Sequence, residues 1–334
     1  MSDSELESHT KTNTIICLNA EDLNQLGLTM SAIVELLSTM FRERATEIMV
    51  NPPKIFEHRS EDRFYSSMVS FAPSIGFASC KWQSGDAKNP DRGLPLIQGS
   101  LLLSEDKTGQ PVALMDAKWI TGERTAAASA LIAREQSRPK STTLGIIGCG
   151  LQARKHLLAL TQVVPSLKQC LVYDIVENRM HEFISEMAPK FEIELIATSG
   201  PRDVTAAADI IVSGAPIVAN PKPVIRPEWV KAGALGISID YDASWRPETV
   251  KTFDVVLTDD KAQFQDEKNK GHFNGVDHID ADICELLTQG QGRRENNQQK
   301  ILAYNLGIAL EDLVVAAEAY RRAIKMGVGT LVHM

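Results

Sequence analysis

No apolar run in this 334-residue chain approaches the roughly 20 residues that a membrane-spanning helix needs. The leading segment, MSDSELESHTKTNT, is polar and has no apolar signal core, so export is not expected, and its first dozen residues read as a disordered tail. Excess basic charge is missing as well. A formal net charge of −8 offers nothing for a nucleic acid or an anionic membrane surface to hold. C-x-x-C spacing is also absent. The five cysteines (Cys17, Cys80, Cys149, Cys170, Cys284) are odd in number and dispersed, the pattern of reduced thiols in a cytoplasmic protein. There is no internal repeat and no low-complexity tract. What remains, 43% hydrophobic and 23% charged residues, is a globular composition, and the length suggests two domains with real cores.

The most informative stretch is TTLGIIGCGLQARKHLLAL, Thr142 to Leu160. It reads as a buried strand, a glycine turn and a helix, which is the dinucleotide-binding fingerprint in its G-x-G-x-x-A form. Gly148 permits the tight turn, and Gly150 lets backbone approach a pyrophosphate with no Cβ in the way. Ala153 keeps helix and strand close. The N–H groups at the helix start, from Leu151 and Gln152 onward, are offered to phosphates. A second strand ends in Asp174, 24 residues past Gly150, about where an acid holds the adenosine ribose. The competing reading is a phosphate-free glycine turn in an ordinary α/β domain, but here the motif has its strand and helix on both sides. Cys149 inside the loop reads as a small filler rather than a redox group.

Helical spacing runs from Leu28 to Ala45 and stops at Asn51-Pro52-Pro53. From about Phe64 to Ile120 the pattern is short strands and turns, with a hairpin from Leu94–Ser104 through Glu105–Gly109 to Pro111–Asp116. A helix is expected from about Glu123 to Gln136. Strands are expected at Cys170–Asp174, Ile193–Ala197, Asp209–Ser213, Ala234–Ile239 and Val255–Thr258. Their alternation with helices implies a doubly wound parallel sheet of the Rossmann type. A last helix is expected from about Lys300 to Lys325, returning to the N-terminal region. The fold class is therefore α/β, with a Rossmann domain over 129–307. A β-rich domain is built from both chain ends, 1–128 with 308–334.

Several segments together resemble the ornithine cyclodeaminase/mu-crystallin family. They are ASCKWQSG around Lys81, Gly93–Leu131 with its Thr121-Gly-Glu-Arg-Thr-Ala-Ala127 run, Gly145–His156, and YNLGIALED (Tyr304–Asp312). The resemblance implies a homodimer joined through the β-rich, substrate-binding domain, with NAD(P) on the other. It also implies hydride exchange at a carbon that bears an amine: imine reduction, amino-acid dehydrogenation, or cyclodeamination with NAD recycled. A non-catalytic, mu-crystallin-like binding protein is the alternative from another class.

By the same resemblance Lys81 is the active-site lysine, suited to hold a carboxylate or give a proton. Arg124 is a bidentate carboxylate ligand, and Thr125 donates to cofactor phosphates. Met68 joins the substrate set, and Ser213 and Gly307 join the cofactor set. Asp242 falls where cyclodeaminases keep an aspartate near the amine, with Asp240 a close competitor. Lys54 stands where the family has a carboxylate-binding arginine, and Ser66 where ornithine cyclodeaminases carry a glutamate, so ornithine is disfavoured. Lys54, His58, Arg59, Arg63, Lys81 and Arg124 crowd the N-terminal half, which hints at a substrate with more than one negative charge. Asp174 favours NAD over NADP, with Arg179 a complication. The cluster His272, Asp277, His278, Asp280, Asp282 matches no standard metal spacing and reads as a solvated loop and helix start. His156 reads as partly buried packing. The expectation is a cytoplasmic, NAD-dependent oxidoreductase acting at the C–N bond of a small amino or imino acid.

Overall fold

The computed structural model describes residues 14–60, 63–86, 88–218 and 220–333. The leading tail expected to be disordered lies outside the described residues. The chain divides into two compact units, one made of the residues up to Arg124 together with those from Ile308 onward, the other of Thr125–Gly307. Among the described residues no helix is long and apolar enough to cross a membrane.

The first unit opens with β1 (Thr14–Leu18), α1 (Ala20–Gln25) and α2 (Met30–Glu43). It continues through β2 (Ile55–Ser60), β3 (Arg63–Ala72), β4 (Phe77–Asp86), β5 (Ile97–Glu105) and β6 (Pro111–Asp116). Next comes α3 (Ala117–Gln136), which starts earlier than Glu123 because the Asp116 carboxylate caps it, accepting from Trp119 N–H at 2.8 Å.

In the second unit β7 (Thr143–Ile147), α4 (Leu151–Val163), β8 (Gln169–Tyr173), α5 (Glu177–Met187), β9 (Glu194–Ala197), α6 (Pro201–Ala207) and β10 (Ile210–Ser213) follow in turn. They are succeeded by β11 (Leu235–Ser238), α7 (Pro247–Val250), β12 (Val255–Thr258), α8 (Lys261–Asn269), β13 (Ala281–Asp282), α9 (Ile283–Gln289) and β14 (Ile301–Tyr304). All eight strands are parallel, in the order β13-β12-β14-β11-β10-β7-β8-β9. The winding reverses between β7 and β10, and that switch point is where open α/β sheets bind ligands. The doubly wound sheet expected from the sequence is present.

The final helix, α10, covers Ala309–Met326, and β15 (Thr330–His333) ends the chain. Both belong to the first unit. The expected helix from Lys300 is therefore corrected. Ile301–Tyr304 is a fully buried strand between β12 and β11, and the helix begins only after Gly307, whose φ is +81°. A buried four-residue strand shows no polar alternation, so Leu302 and Leu306 fit a helical stripe equally well. The seven strands of the first unit lie in the order β15-β1-β6-β5-β4-β3-β2, antiparallel except at β1–β6. α10 packs on one face of β3, β4 and β5, and α2 packs on α10.

On the parallel sheet, Gly145 of β7 lies beneath the α6 segment, and a Cβ there would come within 2.6 Å of Val204 and 2.8 Å of Ala208. Gly145→Ala is expected to cost about 1–3 kcal/mol by overpacking. Urea denaturation should show it as a lower midpoint with an unchanged m-value.

Candidate active site

In the first unit Lys81, on β4, pairs in register with Met68 of β3 and Leu101 of β5, so its side chain leaves from the face that α10 covers. It is fully buried. An ammonium survives there only with partners. Its Nζ lies 2.7 Å from Asp312 Oδ2 and donates to Thr121 Oγ1 at 3.2 Å. Arg124 meets the same acid: its Nε donates to Asp312 Oδ1 at 3.2 Å and its Nη1 to Glu311 Oε2 at 2.9 Å. Burial pushes the Lys81 ammonium down to about 8, against the pull of Asp312 and with the Arg124 and Lys54 charges lowering it further. Glu311 and Asp312 stand in the first turn of α10, where the helix dipole favours acids. That turn is anchored by Asn51, whose Oδ1 accepts from Ala309 N–H at 2.9 Å and Leu310 N–H at 3.3 Å.

In the second unit the candidate residues gather at the C-terminal ends of the parallel strands. Gly148 follows β7 with φ +96°, and a Cβ on it would lie 2.6 Å from the Gly214 carbonyl oxygen. A Cβ on Gly150 would meet nothing within 4 Å, so the loop keeps open space there. Gly150 caps α4 without a side-chain hydrogen bond, which leaves the helix N-terminus for a ligand. Asp174, after β8, accepts from Cys149 N–H at 2.8 Å and from Val176 N–H at 2.9 Å. Arg154 holds the loop from the other side, donating to the Cys149 and Gly150 carbonyls at 2.8 and 3.1 Å. These features fit a dinucleotide: a shaped glycine turn, a free helix end and an acid beside it. Burial, with Asp174 nearby, pushes the Cys149 thiol up to about 12, so it is a filler and not a thiolate.

The loop after β11 separates its two aspartates. Asp240 is sealed in the core, with Ser213, Ser238 and Ser244 hydroxyls and the Ala215 N–H all donating to it. Burial raises its pKa in spite of those four donors. Asp242 is only half-buried, accepting from Phe273 N–H at 3.0 Å and lying 3.1 Å from His272 Nδ1.

A model of the ornithine cyclodeaminase/mu-crystallin family matches residues 16–327. The chain belongs to that family. An alanine dehydrogenase of Archaeoglobus fulgidus is 28% identical over 329 residues, covering 94% of this chain and 97% of the relative. The Thermococcus litoralis Δ1-pyrroline-2-carboxylate reductase, solved with NADH and L-proline, superposes with a TM-score of 0.86 at 30% identity, covering 95% of this chain and 99% of that one. An archaeal alanine dehydrogenase dimer with bound NAD gives 0.85 at 26% identity, with 96% and 99% covered. Close family members are NAD(P)-dependent oxidoreductases acting on CH–NH groups, and cyclodeamination is the other activity of the ornithine cyclodeaminase/mu-crystallin family.

Against the family-based expectations, the structure brings Lys81, Arg124, Lys54 and Met68 together as buried residues of the first unit, with Lys54 among the charges that Lys81 feels. Thr125 is also buried, one residue past Arg124 on α3. Leu151, Gln152 and Ala153 form the first turn of α4, and Arg179 is exposed on α5. Ser213 is buried at the end of β10, its hydroxyl donating to Asp240 and accepting from Trp245 Nε1 at 2.9 Å. The N–H of Gly307 is given to Asp259. Of the basic residues in the N-terminal half, His58 and Arg59 are exposed and the half-exposed Arg63 pairs with Asp86, while Lys81 and Arg124 are paired with buried acids. Of the proposed solvated cluster, His272 is paired with Asp242, His278 with Asp280, and Asp282 caps α9. His156 is not partly but wholly buried, with its Nδ1 donating to the Gln152 carbonyl and its Nε2 bonded to Ser129 Oγ.

The sequence reading missed the roles of Glu311, Asp312 and Arg154. The signal for the first two was an acidic pair inside the otherwise apolar Leu306–Ala317 run. Asp312→Ala leaves Lys81 and Arg124 without their shared partner, and removing one member of a buried ion set costs about 3–5 kcal/mol. Thermal unfolding should record a large drop in Tm for this variant.

Proposed function

We propose that the protein is an NAD-dependent oxidoreductase acting on the C–N bond of a small amino or imino acid. The observation that carries this reading is the buried Lys81 beside Arg124, with its pKa lowered to about 8, in a chain that also has the glycine loop and Asp174. Arg124 and Lys54, both buried in the first unit with Lys81, would hold the substrate carboxylate.

NAD, when bound, supplies the hydride in reduction and accepts it in oxidation. In the reductive direction the Lys81 ammonium would give its proton to the substrate nitrogen and be reprotonated from solvent. Asp242 would accept a hydrogen bond from the substrate nitrogen, while Asp240 stays a buried anchor of its loop. The Asp174 carboxylate would take the ribose hydroxyls and repel a 2′-phosphate, favouring NAD over NADP. The five free thiols fit a reducing, cytoplasmic setting. We further propose a homodimer joined through the open face of the first unit's sheet. That face exposes Ile55 at 64%, Val69 at 46% and Trp82 at 54%, with Tyr65 stacked on Trp82. An apolar patch of this kind marks an interaction surface.

The test is net NADH consumption with small 2-oxo acids plus ammonia or amines, and with cyclic imines. Net oxidation of NADH, with NADPH far weaker, is the expected result. Turnover without net NADH oxidation would point to cyclodeamination. The lysine sets the pH dependence. Its protonated form donates, so reductive kcat/KM should fall as pH rises through about 8. Lys81→Ala should lose at least about 10²-fold in rate together with that dependence. For the assembly, Trp82→Glu should shift the protein from dimer to monomer in light-scattering chromatography.

A further inference from the structure

Among the described residues only two non-glycine positions have positive φ, Tyr241 at +57° and Phe273 at +58°. They stand on two different loops of the second unit, and the two loops meet at one carboxylate. Tyr241 immediately precedes Asp242. Phe273 directs its N–H at both Asp242 oxygens, each 3.0 Å away. Between Gly271 (φ +101°) and Phe273, the chain turns the His272 ring so that Nδ1 reaches Asp242 Oδ2 at 3.1 Å. The imidazole is itself held edge-on against Tyr241, with centroids 5.4 Å apart and planes at 79°. Side chains that strongly disfavour the left-handed region therefore adopt it on both sides of one contact. Such conformations persist only where the surroundings enforce them, and they gather at functional sites.

We infer that His272 is a positioning residue for the amine-facing aspartate: it fixes the direction of the Asp242 carboxylate by donating from Nδ1. The wiring has the logic of a carboxylate–imidazole pair, in which one partner locks the orientation of the other. Here the roles run from the histidine toward the acid, because Asp242 is the residue placed on the loop at the C-terminal end of β11. Neighbouring acids do not compete for the imidazole: Asp240 is filled by its own donors, and Asp266 and Glu267 are paired with Lys270. This inference rests on the proposed role of Asp242 in the C–N chemistry.

The experiment compares His272→Ala, His272→Asn and Asp242→Asn in the full-length protein. An asparagine amide puts a donor close to where Nδ1 lies, so it separates holding the carboxylate from having a ring. His272→Ala should lower kcat about 10- to 100-fold, less than the loss of an acid–base group itself. NADH affinity, read by fluorescence quenching, and Tm should stay near wild type. His272→Asn should recover most of the lost kcat. In ligand-free crystals of His272→Ala, the Asp242 carboxylate should rotate away from the Phe273 N–H. If Asp242→Asn is impaired while His272→Ala turns over like wild type, the inference fails and the Asp242 role stands. An Asp242→Asn variant with undiminished turnover sinks the Asp242 role and the inference with it. An unmoved carboxylate in the His272→Ala crystals, or no recovery with asparagine, also overturns the positioning role.

Discussion

Two cations and two carboxylates locked together in one buried cluster set the terms for the first unit. Lys81, Arg124, Glu311 and Asp312 are all almost fully buried, and each needs the others to remain charged. Desolvation opposes every one of them, and only close, hydrogen-bonded geometry offsets it. Much of the surrounding architecture serves that geometry. β4 aims the lysine inward, α3 presents the arginine, and the first turn of α10 offers two acids with its dipole in support. Asn51, distant in sequence, ties down that turn. The lowered pKa of Lys81 follows from the same packing: a lysine this dry and this close to Arg124 releases its proton more readily than one in water.

The second unit solves a different problem with backbone instead of charge. Its parallel strands end along one line, and the turns leaving them carry the glycine loop, Asp174, the Asp240–Asp242 loop and Gly307. Backbone N–H groups do much of the orienting there. Asp174 is held by Cys149 and Val176, and Asp242 by Phe273. Neighbouring aspartates come out chemically unlike because one faces four inward donors and the other a half-open loop. Composition alone does not separate them.

The parallel sheet, the glycine turn and its acid were legible because each rests on local chemistry, strand-turn-helix context and a Cβ-free approach, whereas Lys81 and Arg124 were singled out only by the resemblance to the family. What escaped was set by partners far apart in the chain. Ile301–Tyr304 looks helical until β11 and β12 are placed on either side of it. The Asp116 cap that moves the start of α3 lies at the end of a strand. Glu311 and Asp312 were given no role because nothing local says that Lys81 and Arg124 will meet them. The partners of the Ser213 hydroxyl, the indole N–H of Trp245 and the carboxylate of Asp240, likewise come from a distant segment.

The split of the first unit across both chain ends has a consequence for synthesis. Lys81 leaves the ribosome 231 residues ahead of Asp312 (312 − 81), and Arg124 leaves it 187 residues ahead of Glu311 (311 − 124). Until α10 emerges, the nascent sheet carries two cations that it cannot afford to bury, so that layer must stay open to solvent. The continuous middle segment has all its strands available earlier. Folding order is thereby written into the connectivity: the middle segment can consolidate first, and Lys81 is buried only when translation has delivered its counter-charge.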